Sequence, residues 1–492
     1  MFRKVLVANR GEISVRVLRA CRELGIRTVA VYSEADEDSL HVWLADEAVP
    51  IGPADPERSY LHIGRILDAA RATGAEAVHP GYGFLAENPE FAAACQDANI
   101  AFIGPPPEVL EASGDKAAAR RLSTRLGIPV LAGTDHPVRD EEALHHARRI
   151  GFPLLLKAAG GGGGRGMRVV RGSEELAEAL RSARREALAA FGTDAILLER
   201  YLERPRHIEV QVLLDRYGNA VHLGERECSI QRRYQKVIEE APSAAVDPGM
   251  RERLAQAALR ILREAGYVNA GTVEFLLDRN GDFYFLEVNA RLQVEHPLTE
   301  LLTGVDLVHQ QLRIAAGEAL VLRQEEVTLR GWAVEARVYA EDPERDFAPS
   351  TGTVLHLYEP HLPGVRVDSG IRAGQRISVH YDPLLSKVIA WAPDRSTAIA
   401  RLRQALASYV ILGPTTNLAF LQDVLDHPVF ASGDLSTAFL PDHFADWHPD
   451  PPAEEAFALA AALVGCGRAK TSPQPPEGFV DPWDRLRSWR LG

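Results

Sequence analysis

Residues 287–295 read Glu287-Val-Asn289-Ala-Arg291-Leu-Gln293-Val-Glu295, with a polar residue at every second position and an apolar one between. In an extended chain successive side chains point to opposite faces, so all five polar groups would share one face. A half-buried strand with a solvated outer side gives the same spacing, and the residues before it carry the argument further. Residues 272–277 (TVEFLL) and 282–287 (DFYFLE) read as two strands joined through Asp278-Arg-Asn280-Gly281, and Asn-Gly is a strong hairpin signal. A turn centred on Asn280 and Gly281 puts Glu274 opposite Glu287. Like charges facing each other across a ladder are destabilising. The spacing therefore predicts something cationic between them, such as magnesium or manganese bound by oxygen ligands, with Asn289 as a third donor. A salt bridge to a nearby arginine is the other reading.

The 492 residues exceed one ordinary core, and two to four domains are expected. Apolar and charged fractions of 46% and 25% are those of a soluble globular chain, and the net charge of −13 argues against a nucleic-acid coat or a membrane-surface role. Cys21, Cys95, Cys228 and Cys466 are scattered with no C-x-x-C pair, which speaks against a zinc site or a disulfide framework and for a reducing compartment. No stretch approaches the roughly 20 apolar residues of a membrane span, and the chain starts without a long apolar leader, so a cytoplasmic protein is expected.

Up to about residue 107, short apolar runs (5–8, 28–32, 77–79, 100–103) alternate with helical spacing over 13–24 and 61–73, which predicts a parallel, doubly wound sheet. The loop Asn9-Arg10-Gly11-Glu12 lacks the glycines of a dinucleotide fingerprint. Residues 104–107 read as a linker, and Ser113-Gly-Asp-Lys116 as the start of a helix ending near Gly127. From 133 to 202 a small lobe is expected around a glycine-rich loop, followed by an α+β unit to 330, a strand-rich unit to 445, and a tail with a helix at 453–464.

That loop, residues 160–166, follows the apolar run Leu154-Leu-Leu-Lys157 and precedes Met167-Arg-Val-Val-Arg. It matches G-x-G-x-x-G, but a second strand rather than a helix follows, so the segment reads as a flap between two strands. Backbone N–H groups without Cβ interference can lie against phosphate oxygens, and Lys157 adds a charge beside them.

A glycine-rich lobe followed by a hairpin with opposed carboxylates and an asparagine two residues on resembles the ATP-grasp superfamily. More closely, the chain resembles biotin carboxylases over about residues 1–445, through VANRGEI (7–13), HPGYGFLAEN (79–88), KAAGGGGGRGM (157–167), ERECSIQRRYQKVIEEAP (225–242), EVNARLQVEHPLTE (287–300), VEARVYAEDP (334–343) and YDPLLSKVIAW (381–391). The resemblance implies a multidomain α/β and α+β fold. It comprises a doubly wound N-terminal domain (1–112), an ATP-grasp domain (113–330) with a mobile glycine-rich lid at about 133–202, a strand-rich C-terminal domain (331–445), and a tail (446–492) similar to the start of a coupling domain.

It also implies the chemistry: an ATP-dependent ligase that activates bicarbonate as carboxyphosphate and carboxylates biotin. ATP would be met by Lys116, Lys157, Gly162, Gly163, Gly164, Gly166, Met167, His207, Gln231 and Leu276, with Glu199, Arg200, Tyr201 and Leu202 on the adenine side. Glu274, Glu287 and Asn289 would hold two Mg2+ or Mn2+ ions on the phosphates, the two glutamates also bordering ATP. Lys236, Arg291, Gln293, Val294 and Glu295 would form the bicarbonate site, with Glu295 as base. Arg337, with Tyr82, would meet biotin. Each of Lys236, Arg291 and Arg337 could instead serve in a structural salt bridge. Tyr234 stands where the family often has His or Asn, which puts the ribose contact there in question.

The family's biotin is carried on a lysine flanked by methionine, whereas Met1, Met167 and Met250 adjoin no lysine. Biotin is therefore expected on a separate carrier protein or domain, with a carboxyltransferase as second partner and a homodimer as one assembly. Residues 369–383 and 480–492 resemble acyl-CoA carboxylase α chains of the methylcrotonyl type. Another ATP-grasp ligase, joining a carboxylate to an amine, is the rival enzyme, and an ATP-binding scaffold is the non-catalytic rival.

Overall fold

The computed structural model describes residues 1–159 and 167–450. The expected phosphate-loop residues Gly162, Gly163, Gly164 and Gly166, the helix at 453–464, the tail motif and Cys466 lie outside the described residues.

The first sheet contains β1 (Lys4–Val7), β2 (Arg27–Ser33), β3 (Glu47–Gly52), β4 (Ala77–His79) and β5 (Ala101–Phe102), all parallel, in the order β3-β2-β1-β4-β5. The order reverses at β1, as in a doubly wound fold. Strand alternation splits its packing: Val5 and Val7 enter a cluster with Ile13, Val17 and Cys21 of α1 (Gly11–Glu23), while Leu6 and Ala8 enter another with Ile66 and Phe91. Helices α2 (Leu40–Leu44), α3 (Ile63–Thr73) and α4 (Pro89–Asp97) complete this unit. The sequence reading missed β3, α2 and α4. Pro50 inside EAVPIG argues against a strand, but β3 is the edge of the sheet, where a missing N–H is tolerated.

Two helices follow, α5 (Pro107–Gly114) and α6 (Lys116–Arg125), and the Asp115 side chain caps the second by accepting from Ala117 and Ala118 N–H. The expected boundary at 112/113 thus falls inside α5. The lid is a compact layer in which β6 (Leu154–Ala158) pairs antiparallel with both β7 (Arg168–Val170) and β8 (Ile196–Arg200). Its core joins Leu154, Leu156, Val170 and Leu198 to α7 (Asp140–Ile150) and α8 (Leu176–Phe191). Period two leaves Lys157 and Glu199 on the other face.

The central sheet has eight antiparallel strands. β9 (Arg206–Leu214), β10 (Ala220–Arg232), β11 (Gln235–Ala241), β12 (Asn269–Leu277), β13 (Phe283–Asn289) and β14 (Trp332–Tyr339) are joined by the strands Leu384–Ala392 and Val365–Ser369. The order runs β13-β12-β9-β10-β11-β14 and then those two. β11 pairs directly with β14, from Ile238↔Ala336 to Ala241↔Ala333, so the sheet is continuous across the expected division at 330/331. One face buries Ile208, Val210, Val212, Val273 and Phe275 against α9 (Pro248–Glu264). The other carries the polar row His207, Glu209, Gln211 and Glu274, all buried. Among the described residues no helix is long and apolar enough to cross a membrane.

Candidate active site

Glu274 does face Glu287 across the β12–β13 ladder, but not through the expected two-residue turn. The loop is Arg279-Asn280-Gly281, closed by Asp278 N–H donating to Asp282 O (2.9 Å), with Gly281 at φ +84°. Leu277 therefore faces Phe283 and Phe275 faces Phe285, and an irregularity follows in which Leu286 is the extra residue. The shorter offset at the loop and the extra residue on β13 cancel, which restores 274↔287.

The extended geometry also stops earlier than expected. β13 ends at Asn289, and residues 290–295 bend and turn into α10 (His296–Thr303), with Glu295 at the cap position. Arg291, Gln293 and Glu295 are thus not a continuation of the strand face. They are nevertheless brought to it by hydrogen bonds. Arg291 donates to Asn289 Oδ1 (3.0 Å) and Gln293 Oε1 (2.9 Å), and Gln293 Nε2 donates to Glu274 Oε1 (3.2 Å).

Lys236 is the hub. Its ammonium lies 2.6 Å from Glu209, 3.0 Å from Glu274 and 2.6 Å from Glu295. Glu295 is wholly buried, and its second oxygen accepts from Arg337 at 3.0 Å. Burial alone would push the Glu295 carboxyl up, but Lys236, Arg337 and Arg226 outweigh it and hold the group well below the usual carboxylate range. Arg337 also donates to Glu239 (2.6 Å), whose carboxyl burial raises to about 7 despite that partner. Arg226, fully buried, meets Glu209 at 2.5 Å and donates to Gln211, Thr299 and Thr272.

On the nucleotide side, His207 Nε2 is 2.9 Å from Glu274, and its Nδ1 meets Gln231 Nε2 at 2.8 Å. Leu276 stands beside His207 in register. Lys157 pairs with Glu199, which also accepts from Arg120 (3.0 Å), and Arg200 and Tyr201 follow at the exit of β8, where Tyr201 N–H donates to Pro153 O. Leu202 follows on the connection to β9, and Met167 immediately precedes β7. Tyr234 occupies the tight β10–β11 turn at φ +67° and is 43% exposed.

Glu274 and Glu287 differ sharply. Burial would raise Glu274, but Lys236 and His207 reverse it and hold it low. Glu287 is raised by burial and by Glu274, with Lys116 at 4.0 Å as its cationic partner. No arginine pairs with either carboxylate among the described residues, and the buried Nδ2 of Asn289 has no partner. A carboxylate short of positive charge, facing a second carboxylate across the ladder, fits a divalent cation, and Asn289 could join them only by turning its Oδ1 away from Arg291. A separate grouping on the lid, His136, Glu142 and His146, is already engaged by Arg139 on Glu142 and Arg149 on His146.

Tyr82 and Arg337 share no hydrogen bond. The Tyr82 hydroxyl donates to Glu12, and its loop is tied by Asn9 Nδ2 to Pro80 O and Tyr82 O, both at 2.7 Å. Glu209 and Glu239 escaped the sequence reading, although the alternation His207-x-Glu209-x-Gln211 carried the same signal as 287–295. Glu87, which accepts from Arg291 Nε (2.9 Å) and Ala290 N–H (3.0 Å), left no such signal.

A lid sheet bearing Lys157, opposed carboxylates and a cation hub beside them are the arrangement of an ATP-grasp enzyme. Residues 1–110 match the family "Biotin carboxylase, N-terminal domain", 115–323 "Carbamoyl-phosphate synthase L chain, ATP binding domain", and 335–442 "Biotin carboxylase C-terminal domain". Biotin carboxylase of Nostoc is 51% identical over 440 residues, which are 89% of this chain and 98% of that one. The methylcrotonoyl-CoA carboxylase α subunit of Rattus norvegicus is 50% identical over 464 residues, or 94% of this chain, which spans 65% of the length of that relative. The biotin carboxylase domain dimer of Hydrogenobacter thermophilus 2-oxoglutarate carboxylase, solved with MgADP, ADP and bicarbonate, superposes with a TM-score of 0.88 at 49% identity, covering 90% of this chain and 98% of that one. This chain belongs to the biotin carboxylase family.

Proposed function

We propose that the chain carboxylates biotin presented by a carrier protein or domain, with ATP and bicarbonate as co-substrates. The observation that carries this reading is Glu295, one buried carboxylate held between Lys236 and Arg337. Lys236 and Arg291 would receive bicarbonate, and Arg337, near Tyr82, the ureido group of biotin. Glu295 stays ionised in this arrangement. Anions arriving at Lys236 and Arg337 compete for its two partners, which raises its basicity where bicarbonate must lose its proton. ATP then phosphorylates bicarbonate, and the carboxyphosphate splits into carbon dioxide and phosphate. The phosphate takes the ureido N–H proton and the nitrogen attacks carbon dioxide, while Arg337 stabilises the charge on the ureido oxygen.

Glu274, Glu287 and Asn289 would hold Mg2+ or Mn2+, which neutralises phosphate charge when bound. Lys116, Lys157, His207, Gln231 and Leu276 would line the nucleotide, with the adenine beside residues 199–202. Lys157 would exchange Glu199 for phosphate as the lid meets ATP. The division at 112, 330 and 445 is part of this reading in function rather than in packing. The buried free thiols of Cys21, Cys95 and Cys228 support a reducing compartment, for which we keep the cytoplasm.

The acceptor beyond biotin belongs to a partner carboxyltransferase. We favour an acyl-CoA acceptor, supported by the 94% of this chain that aligns with the rat α subunit; the 2-oxoglutarate carboxylase domain represents the 2-oxo-acid class. The test is ADP release that requires bicarbonate and is stimulated by free biotin. A requirement for an amine would replace this reading with a carboxylate–amine ligase.

A further inference from the structure

Lys387 is absent from the set of site residues legible in the sequence, yet it is one of the largest side chains with no exposure at all. It sits on the Leu384–Ala392 strand directly opposite Arg337 in the ladder. Its ammonium donates to Val294 O at 2.8 Å, lies 3.3 Å from Glu12 Oε2 and 3.8 Å from Asp368. Asp368 is already held by Arg366 through two hydrogen bonds, and Glu12 accepts from Tyr82 with its other oxygen. The chain Tyr82–Glu12–Lys387–Val294 therefore runs from the N-terminal sheet to the turn that precedes Glu295. All of it is buried or half-buried.

Such a contact has a geometric consequence. Across a trans peptide the carbonyl of one residue and the N–H of the next point in opposite directions. A cation fixed on Val294 O therefore fixes the Glu295 N–H on the other side of that peptide plane. It also polarises the peptide, which strengthens the N–H as a donor in a dry site. The turn at 293–295 has few other backbone restraints: His296 N–H reaches Gln293 O at 3.3 Å and Leu298 N–H reaches Glu295 O at 3.2 Å.

We propose that Lys387 is a positioning residue for bicarbonate, which holds the Val294–Glu295 peptide in place and joins it, through Glu12, to the biotin-facing Tyr82. This rests on the reading of residues 291–295 as the bicarbonate site. Lys387 touches neither substrate and acts through Val294. Loss of its contact loosens the anion site, leaves the nucleotide site intact, and couples the tyrosine on the biotin side to bicarbonate affinity.

The test is steady-state ADP release by the full chain, with bicarbonate and ATP varied separately, for the parent protein and for K387M and Y82F. The expected result for K387M is a rise of roughly tenfold or more in the KM for bicarbonate, the loss that removal of one charged hydrogen bond brings, with the KM for ATP within about twofold. Y82F, which keeps the aromatic ring, shifts the bicarbonate KM in the same direction by about threefold at saturating free biotin. A K387M that binds ATP normally with an unchanged bicarbonate KM overturns the inference, as does an equal shift for both substrates. Should K387M fail to fold, Y82F decides, and an unchanged bicarbonate KM in that variant overturns it as well. A parent protein whose ADP release ignores bicarbonate removes the underlying reading itself, which separates that failure from this one.

Discussion

Glu295 accepts from Lys236 at 2.6 Å with one oxygen and from Arg337 at 3.0 Å with the other, without exposure to solvent. A buried carboxylate with a cation on each oxygen can respond to whatever displaces those cations, and the two are the groups assigned to the two substrates. Replacing it by the isosteric amide keeps the shape and removes the base. E295Q should lower bicarbonate-dependent ADP release by roughly a hundredfold or more while the ATP dissociation constant changes by less than about twofold. Rates near those of the parent would end its assignment as base.

Lys236 pairs with Glu209, Glu274 and Glu295 at once. Removing one partner of a buried ion pair leaves uncompensated charge, at a cost of about 3–5 kcal/mol. K236M should therefore show a clearly lower midpoint in denaturant unfolding as well as lost activity. A variant as stable as its parent would mean that the carboxylates find other partners.

Glu287 faces Glu274 with Lys116 4.0 Å away. If the pair holds a divalent cation, E287Q should raise the Mn2+ concentration needed for half-maximal activity by at least the roughly tenfold that loss of an outer-shell partner costs. High Mn2+ should restore part of the rate. An unchanged metal requirement would assign the pair to structure.

Burial pushes the Glu12 carboxyl from 4.5 up to about 7, partly countered by Lys387. Between those values the folded chain keeps a proton that the unfolded chain has released. Stability is therefore lost as pH rises from about 4.5 to about 7, and the loss levels off above that. E12Q removes this contribution, so it should gain on its parent between pH 5 and pH 8 by an amount on the order of 2 kcal/mol in apparent unfolding free energy. Parallel pH profiles would show that Glu12 titrates alike in both states.

The opposition of Glu274 and Glu287 was legible because hairpin arithmetic depends only on the sum of positions. It survived a wrong turn type because the three-residue loop and the extra residue at Leu286 cancel. The pairing of β6 with β7 was legible from the apolar runs that flank the glycines, and the doubly wound sheet from alternating periodicity. What failed was continuity. The period-two pattern past Asn289 is shared by a strand and by a turn that presents side chains one at a time, and periodicity alone does not separate them. Glu12, Glu87 and Lys387 reach the site only through tertiary packing, so no local spacing announces them. The division at 330 follows a change of composition, whereas the β11–β14 ladder ignores it.

The most direct measurement of the central claim is the fate of labelled bicarbonate when the chain is incubated with Mg2+, ATP and free biotin. The account predicts labelled carboxybiotin formed in step with ADP, and neither product in the E295Q variant. ADP formed without label in biotin, or formed only when an amine is supplied, would contradict it.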